Sequence, residues 1–149
     1  MSRSPWKLTR DPLHRGDRSQ GVSLPCPQAS RSIVRHVLYL EGYGRETPYL
    51  SATEERDVAL RFAGSEGRTY MAHPQQWAPL RVSHRPRKEL LQLLRGKGKG
   101  DAEWPYAFEV MRARQYVEEA QEHLADFSEL SEIGTQNLVA LVNQVFYPA

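Results

Sequence analysis

The chain has one cysteine, Cys26 between Pro25 and Pro27, so no internal disulfide can form and no second thiol exists for a cysteine-based metal site. Its five histidines, at positions 14, 36, 73, 84 and 123, show neither His-x-x-x-His nor Glu-x-x-His spacing, the patterns that set two ligands on one helix face. No metal is expected. No apolar run approaches the roughly 20 residues needed to cross a bilayer, so no membrane partner is expected either. The opening Met1-Ser-Arg-Ser-Pro-Trp6 lacks the apolar core of a signal peptide, which suits a cytoplasmic protein or a delivered effector. What is present is ordinary for a globular chain. Hydrophobic residues make up 40% and charged residues 26%, which argues against wholesale disorder and for a single soluble domain over 1–149, with 1–12 as a poorly ordered tail.

The net charge is only +2, but it is unevenly placed. Basic residues at 81, 85, 87, 88, 95, 97 and 99 face Glu89 alone, whereas the segment from Asp101 to Glu132 is acidic apart from Arg112 and Arg114. This pattern fits two solvated faces that attract each other within the fold. The sharper alternative is a nucleic-acid or phosphate contact through Arg81–Lys99.

Periodicity divides the chain into two styles. Ser30 can cap a helix carrying Ile33, Val34, Val37 and Leu38, ended by Gly42 and Gly44, with a strand through Val37–Leu40 as the competing reading. Pro48–Ser51 reads as a strand running into a helix capped at Thr53, with Val58, Ala59, Phe62 and Ala63 on its buried face and Gly64 as its stop. Strands over Arg68–Ala72 and Leu80–Val82 follow, then a short helix over Arg87–Leu94 and a loop of alternating glycine at Gly96–Gly100. Tyr106, Val110, Ala113, Val117, Ala120, Leu124 and Phe127 are spaced four and three apart, which predicts one long amphipathic helix with a narrow stripe. That stripe offers a surface for self-association or for a cognate inhibitor. Thr135 can cap a last helix. The expected class is α+β with a helical C-terminal half.

The segment Tyr49-Leu-Ser51-Ala-Thr53-Glu-Glu-Arg-Asp-Val58-Ala59-Leu-Arg-Phe62-Ala63, followed by Gly67-Arg-Thr-Tyr70, resembles the central motif of ADP-ribosyltransferases of the Arg-Ser-Glu class, including toxins and effectors. There an aromatic-x-Ser strand end runs into a helix of the form Ala-x-x-Phe-Ala. Leu13-His14-Arg15-Gly16-Asp17 is similar to that family's first-strand arginine element. Together the two matches cover mainly residues 13–72.

The resemblance implies a split β-sheet core, NAD+ as co-substrate and transfer of ADP-ribose to a macromolecule, a protein first among the acceptors. It places Arg15, Gly16, Tyr49, Ser51, Thr53 and Tyr70 around the dinucleotide. Arginine suits phosphate or ribose because its planar fork donates several hydrogen bonds. The family's glutamate lies on a late strand, usually after Gln-x or Glu-x, and hydrogen-bonds the ribose 2′-OH. Glu132, followed by Ile133, is the first candidate and Glu129 the second, although neither has Gln or Glu two positions earlier. That departure keeps a second reading open, a catalytically inactive module of the same fold that binds a nucleotide or a protein.

Overall fold

A computed structural model describes residues 12–38, 46–94 and 107–149. Six strands form one antiparallel sheet in the order β4-β5-β2-β1-β3-β6, so the chain is α+β. The strands are β1 (Leu13–Arg18), β2 (Tyr49–Thr53), β3 (Gly67–Ala72), β4 (Ser83–Arg85), β5 (Glu122–Asp126) and β6 (Tyr147–Pro148). The helices are α1 (Ile33–Leu38), α2 (Arg56–Ala63), α3 (Arg87–Leu93), α4 (Ala107–Ala120) and α5 (Thr135–Val145). Among the described residues no helix is long and apolar enough to cross a membrane.

The sheet has a weak line down its middle. β2 pairs with β5 over five residue pairs, from Tyr49 opposite Asp126 to Thr53 opposite Glu122. β1 pairs with β3 over six, from Leu13 opposite Ala72 to Arg18 opposite Gly67. Between β1 and β2 only His14 and Thr53 are in register. Two three-stranded halves therefore meet at a seam that a single residue pair closes.

One core, including Leu13, Leu50, Trp77, Phe127, Val142 and Phe146, gathers around α5. The other holds Ile33, Val34, Leu90, Val110, Val117 and Leu124, and brings α1, α3 and α4 together. The buried stripe of α4 is thus spent inside the chain. Alternation along β2 serves both cores, with Leu50 and Ala52 in the first and Tyr49 in the second.

α2 lies directly on β1, and the contact depends on two glycines. A Cβ on Gly16 would stand 2.0 Å from the carbonyl oxygen of Ala59 and 2.5 Å from the amide nitrogen of Ala63. One on Gly67 would meet the carbonyls of Ala63 and Asp17, each at 2.3 Å. These neighbours are backbone and cannot rotate away. Gly16→Ala is expected to cost about 3 kcal/mol or more, the upper range for forcing extra volume into packed structure. Urea unfolding checks this, and a change below about 1 kcal/mol would mean that α2 does not sit on β1 as described.

Several sequence expectations change. The helix predicted from Tyr106 to Phe127 stops at Ala120; Gln121 takes φ 48°, and residues 122–126 become β5 between β2 and β4. Leu124 is buried as a residue of β5, and Phe127, just past the strand, is buried in the core around α5, so neither belongs to a helix stripe. The C-terminal half is therefore not purely helical. Leu80–Val82 is no strand: Ala78–Leu80 is a 3-10 turn, and β4 begins at Ser83.

Thr53 is a strand residue whose Oγ1 accepts from the Glu55 amide, while the residue at the cap position of α2 is Glu55. Gly134, not Thr135, caps α5, and Ser32 supplies the side-chain bond at the start of α1, accepting from the Arg35 amide at 3.1 Å. Phe62, expected in the core, is exposed. Residues 1–11 of the proposed tail, Gly42 and Gly44, the Gly96–Gly100 loop and Tyr106 lie outside the described residues.

Candidate active site

The cleft that opens at the seam has a volume of about 390 Å³. Arg15, Ser51 and Glu122 reach it from three different strands. Arg15 on β1 donates from Nη1 to the Ser51 carbonyl across the seam at 2.8 Å. Its Nε donates to Asp17 Oδ2 at 2.9 Å, and Asp17 is fixed in turn by the Ser23 amide and hydroxyl, each at 2.9 Å. The guanidinium is held on one side by a braced carboxylate and on the other by a backbone carbonyl. Burial lowers the Arg15 pKa from its ordinary value, opposed by the negative charges of Asp17 and Glu122. Burial alone would raise Asp17, but Arg15 and the donors from Ser23 and Arg18 hold it below the usual carboxylate value.

Ser51 sits at the centre of β2. Its Oγ lies 2.5 Å from Glu122 Oε2 and 2.6 Å from His36 Nε2. His36, on α1, places Nδ1 2.6 Å from Thr47 Oγ1 and packs edge-on against the Tyr49 ring. Glu122 opens β5 and is only 7% exposed. Burial pushes its carboxyl up to about 7, although the Ser51 hydroxyl and the Arg15 charge pull the other way. His36 moves in the opposite direction, down to about 3, first because of burial and second because of the Arg15 charge. The 3.9 Å approach of His36 Nε2 to Glu122 is therefore a contact of a neutral imidazole, not an ion pair.

The residues expected at the site divide into two groups. Arg15, Gly16, Tyr49, Ser51 and Thr53 line the cleft. Tyr49 also donates its hydroxyl to the Arg31 carbonyl at 2.7 Å, and Thr53 donates to the Ala120 carbonyl at 2.5 Å, so both have structural duties as well. Tyr70 does not line the cleft; it is buried in the core and donates to the Arg18 carbonyl at 2.6 Å. Glu129 and Glu132 are exposed and away from the cleft, Glu129 accepting from the Ser83 hydroxyl beyond the end of β5. The carboxyl that meets Ser51 is Glu122.

Sequence reading misses Glu122 because it falls within the four-three stripe taken for helix. His36 is missed because its neighbours Val34 and Val37 draw attention only to the apolar face of α1. The one local hint is Gln121 directly before Glu122, one position from where the family's Gln-x pattern would put it.

Part of the basic stretch is paired within the fold. Arg85 bonds Asp126 and Glu89, and Arg87 Nε lies 3.3 Å from Glu54. Arg81 donates to the Glu129 carbonyl at 3.1 Å. Residues 95–99 of that stretch lie outside the described residues. Among the described residues no group of three or more His, Cys, Asp or Glu is placed to hold a metal ion. Comparison with family models, with curated proteins and with solved structures found no match to this chain.

Proposed function

We propose that the chain is a mono-ADP-ribosyltransferase that takes ADP-ribose from NAD+ and passes it to a macromolecular acceptor, with Glu122 as its acid residue. The observation that carries this reading is the convergence of Arg15, Ser51 and Glu122 from β1, β2 and β5 on one cleft. The resemblance of residues 13–72 calls for an arginine on a first strand, a serine at a strand end and a glutamate on a late strand. The seam closed by a single pair supports the split-sheet core that the same resemblance implies. A cleft of about 390 Å³ falls in the range of small-molecule sites and has room for one half of a dinucleotide.

The chemistry asks for few groups. The bond from the ribose C1′ to the nicotinamide nitrogen breaks, its electron pair leaves with neutral nicotinamide, and positive charge develops on the ribose. An ionised Glu122 stabilises that charge. Arg15 supplies a pre-oriented donor fork for a phosphate or ribose oxygen. The acceptor's nucleophile bonds to C1′ and loses its proton, which Glu122 is suited to take, because a base working near neutrality transfers protons best with a pKa near the operating pH.

Nicotinamide release from NAD+ tests this reading. Arg15→Ala is expected to weaken NAD+ binding by 10-fold or more, because it removes the fork and leaves Asp17 without its cation. Calorimetric titration measures the loss; unchanged affinity would remove Arg15 from the site.

A second reading, an inactive nucleotide- or protein-binding module, is favoured by one feature. Glu122 has Ala120, not Gln or Glu, two positions before it. Binding of NAD+ without release of nicotinamide would select that reading.

A further inference from the structure

Arg15, Ser51 and Glu122 leave two buried partners of the same site without a role, His36 and Thr47. Their hydrogen bonds form an unbroken string. Glu122 Oε2 meets Ser51 Oγ at 2.5 Å, Ser51 Oγ meets His36 Nε2 at 2.6 Å, and His36 Nδ1 meets Thr47 Oγ1 at 2.6 Å. Thr47 Oγ1 lies 3.3 Å from both the amide nitrogen and the carbonyl oxygen of Tyr49. His36 is 5% exposed, Thr47 8% and Glu122 7%, so their polar atoms are satisfied mainly by one another, while the cleft they line lets water reach them for proton exchange.

Each hydroxyl has one proton, and this restricts the string to two complete arrangements. With Glu122 ionised, Ser51 must donate to it, so Ser51 accepts from a proton on His36 Nε2. Nδ1 is then an acceptor, Thr47 donates to it, and the Tyr49 amide donates to Thr47. With Glu122 protonated and donating to Ser51, every bond reverses. Ser51 donates to Nε2, the imidazole carries its proton on Nδ1, Thr47 accepts that proton and donates to the Tyr49 carbonyl. The two contacts of Thr47 with Tyr49 provide an end for either direction.

We propose that His36 is the tautomeric partner of Glu122: the Ser51 hydroxyl couples the two, so that the imidazole carries its proton on Nε2 while Glu122 is ionised and on Nδ1 while Glu122 is protonated. One proton enters, at Glu122. The imidazole's own count stays at one, its proton moving from Nε2 to Nδ1 by exchange with water while the Ser51 and Thr47 hydroxyls rotate. The doubly protonated imidazole is excluded by the burial that lowers His36 to about 3, and the carboxyl value of about 7 puts the exchange near neutrality. The other titratable or charged groups facing this cleft are Arg15 and His14 on β1, Glu46, Tyr49 on β2 and Tyr116 on α4. Of these, Arg15 is the one whose charge acts on both Glu122 and His36.

For catalysis the inference rests on the transferase reading. Glu122 must be ionised before transfer and protonated after it, and the string leaves no buried polar atom of Ser51 or His36 unpaired in either state. His36 is then a positioning residue.

The test needs no substrate. Two-bond proton–nitrogen spectra of the full chain, labelled at histidine nitrogen, report the His36 tautomer between pH 5.5 and 8.5. The carboxyl carbon resonance of Glu122 gives its titration over the same range. The wild type is expected to pass from Nδ1–H to Nε2–H with the midpoint of Glu122, and Glu122→Gln should remove the pH dependence. Thr47→Val removes the acceptor for Nδ1–H. Since a buried orphan N–H is tolerated less well than a buried lone pair, His36 should then stay Nε2–H throughout. The Glu122 midpoint should fall by up to about one unit, the worth of one neutral hydrogen bond. Thr47→Ser should restore both behaviours.

A single tautomer in the wild type while Glu122 titrates would overturn the proposal, because the acid would then be taking its proton on its other oxygen. If Thr47→Val fails to fold, the wild-type and Thr47→Ser spectra still decide. Absence of nicotinamide release would defeat the transferase reading and leave the spectra unaffected.

Discussion

Glu122→Gln is expected to reduce nicotinamide release about 10²- to 10³-fold, the usual loss when one group that stabilises transition-state charge is removed. Affinity for NAD+ should change by only a few fold. Glutamine keeps the shape of the side chain and a hydrogen bond to Ser51, but it carries no charge to balance a cationic ribose and takes no proton from an acceptor. The wild-type pH profile provides a companion result. Because kcat/KM reports the free enzyme, and burial raises Glu122 to about 7, activity should fall about tenfold per unit below that pH and level off above it. Parallel assays of Glu129→Gln and Glu132→Gln should match the wild type. Near wild-type release by Glu122→Gln, with loss in either of the other two, would return the acid to the 129–132 turn.

The same substitution should make the protein more stable, and only above acidic pH. A carboxyl whose folded pKa lies above its unfolded value keeps its proton in the native state. Its contribution is full below the unfolded value of about 4.5 and declines as pH rises to about 7. Beyond that point the ionised Glu122 costs up to about 3 kcal/mol relative to its neutral form, and a glutamine does not incur this cost. Glu122→Gln should therefore raise Tm by several degrees at pH 8 and leave it nearly unchanged at pH 4.5.

His36 slopes the other way. Its folded pKa of about 3 lies below the unfolded 6.5, so its contribution is complete above pH 6.5 and is lost as pH falls towards 3. The two slopes oppose each other between about pH 4.5 and 6.5, so these two groups together leave wild-type stability nearly flat there, whereas stability of the variant should climb with pH. Thermal unfolding at half-unit intervals reads both curves. A variant less stable than the wild type at pH 8 would mean that Glu122 is not strained by its burial.

The sequence made β1, β2 and α2 legible because each carries its own local signal. Arg15-Gly16-Asp17 and Tyr49–Ala63 hold a strand, a turn and a helix within short spans, and Gly16 is small for a reason visible only as a contact with α2. β5 was hidden for the opposite reason. All five of its residues are buried, and nothing alternates along it to distinguish it from the helix before it. Its identity is set by partners far along the chain, β2 and β4, and the period of α4 runs into it without a break. The acid moved with the element. Once 122–126 is a strand in register with β2, Glu122 lies diagonally from Ser51, and no helical reading could have brought them together.

The seam between β1 and β2 bears on how such a site would decay. Where strands part, main-chain groups remain free for other partners, and on the β1 side the Ser51 carbonyl accepts from the Arg15 guanidinium. A main-chain group survives every substitution of its side chain. On the transferase reading, a lineage that lost Glu122 would lose the chemistry and gain stability at neutral pH, yet the opening and the carbonyl that anchors Arg15 would persist. On that reading the way from enzyme to binding module runs downhill in this fold, and the reverse path has to regain both a charge and the cost of burying it.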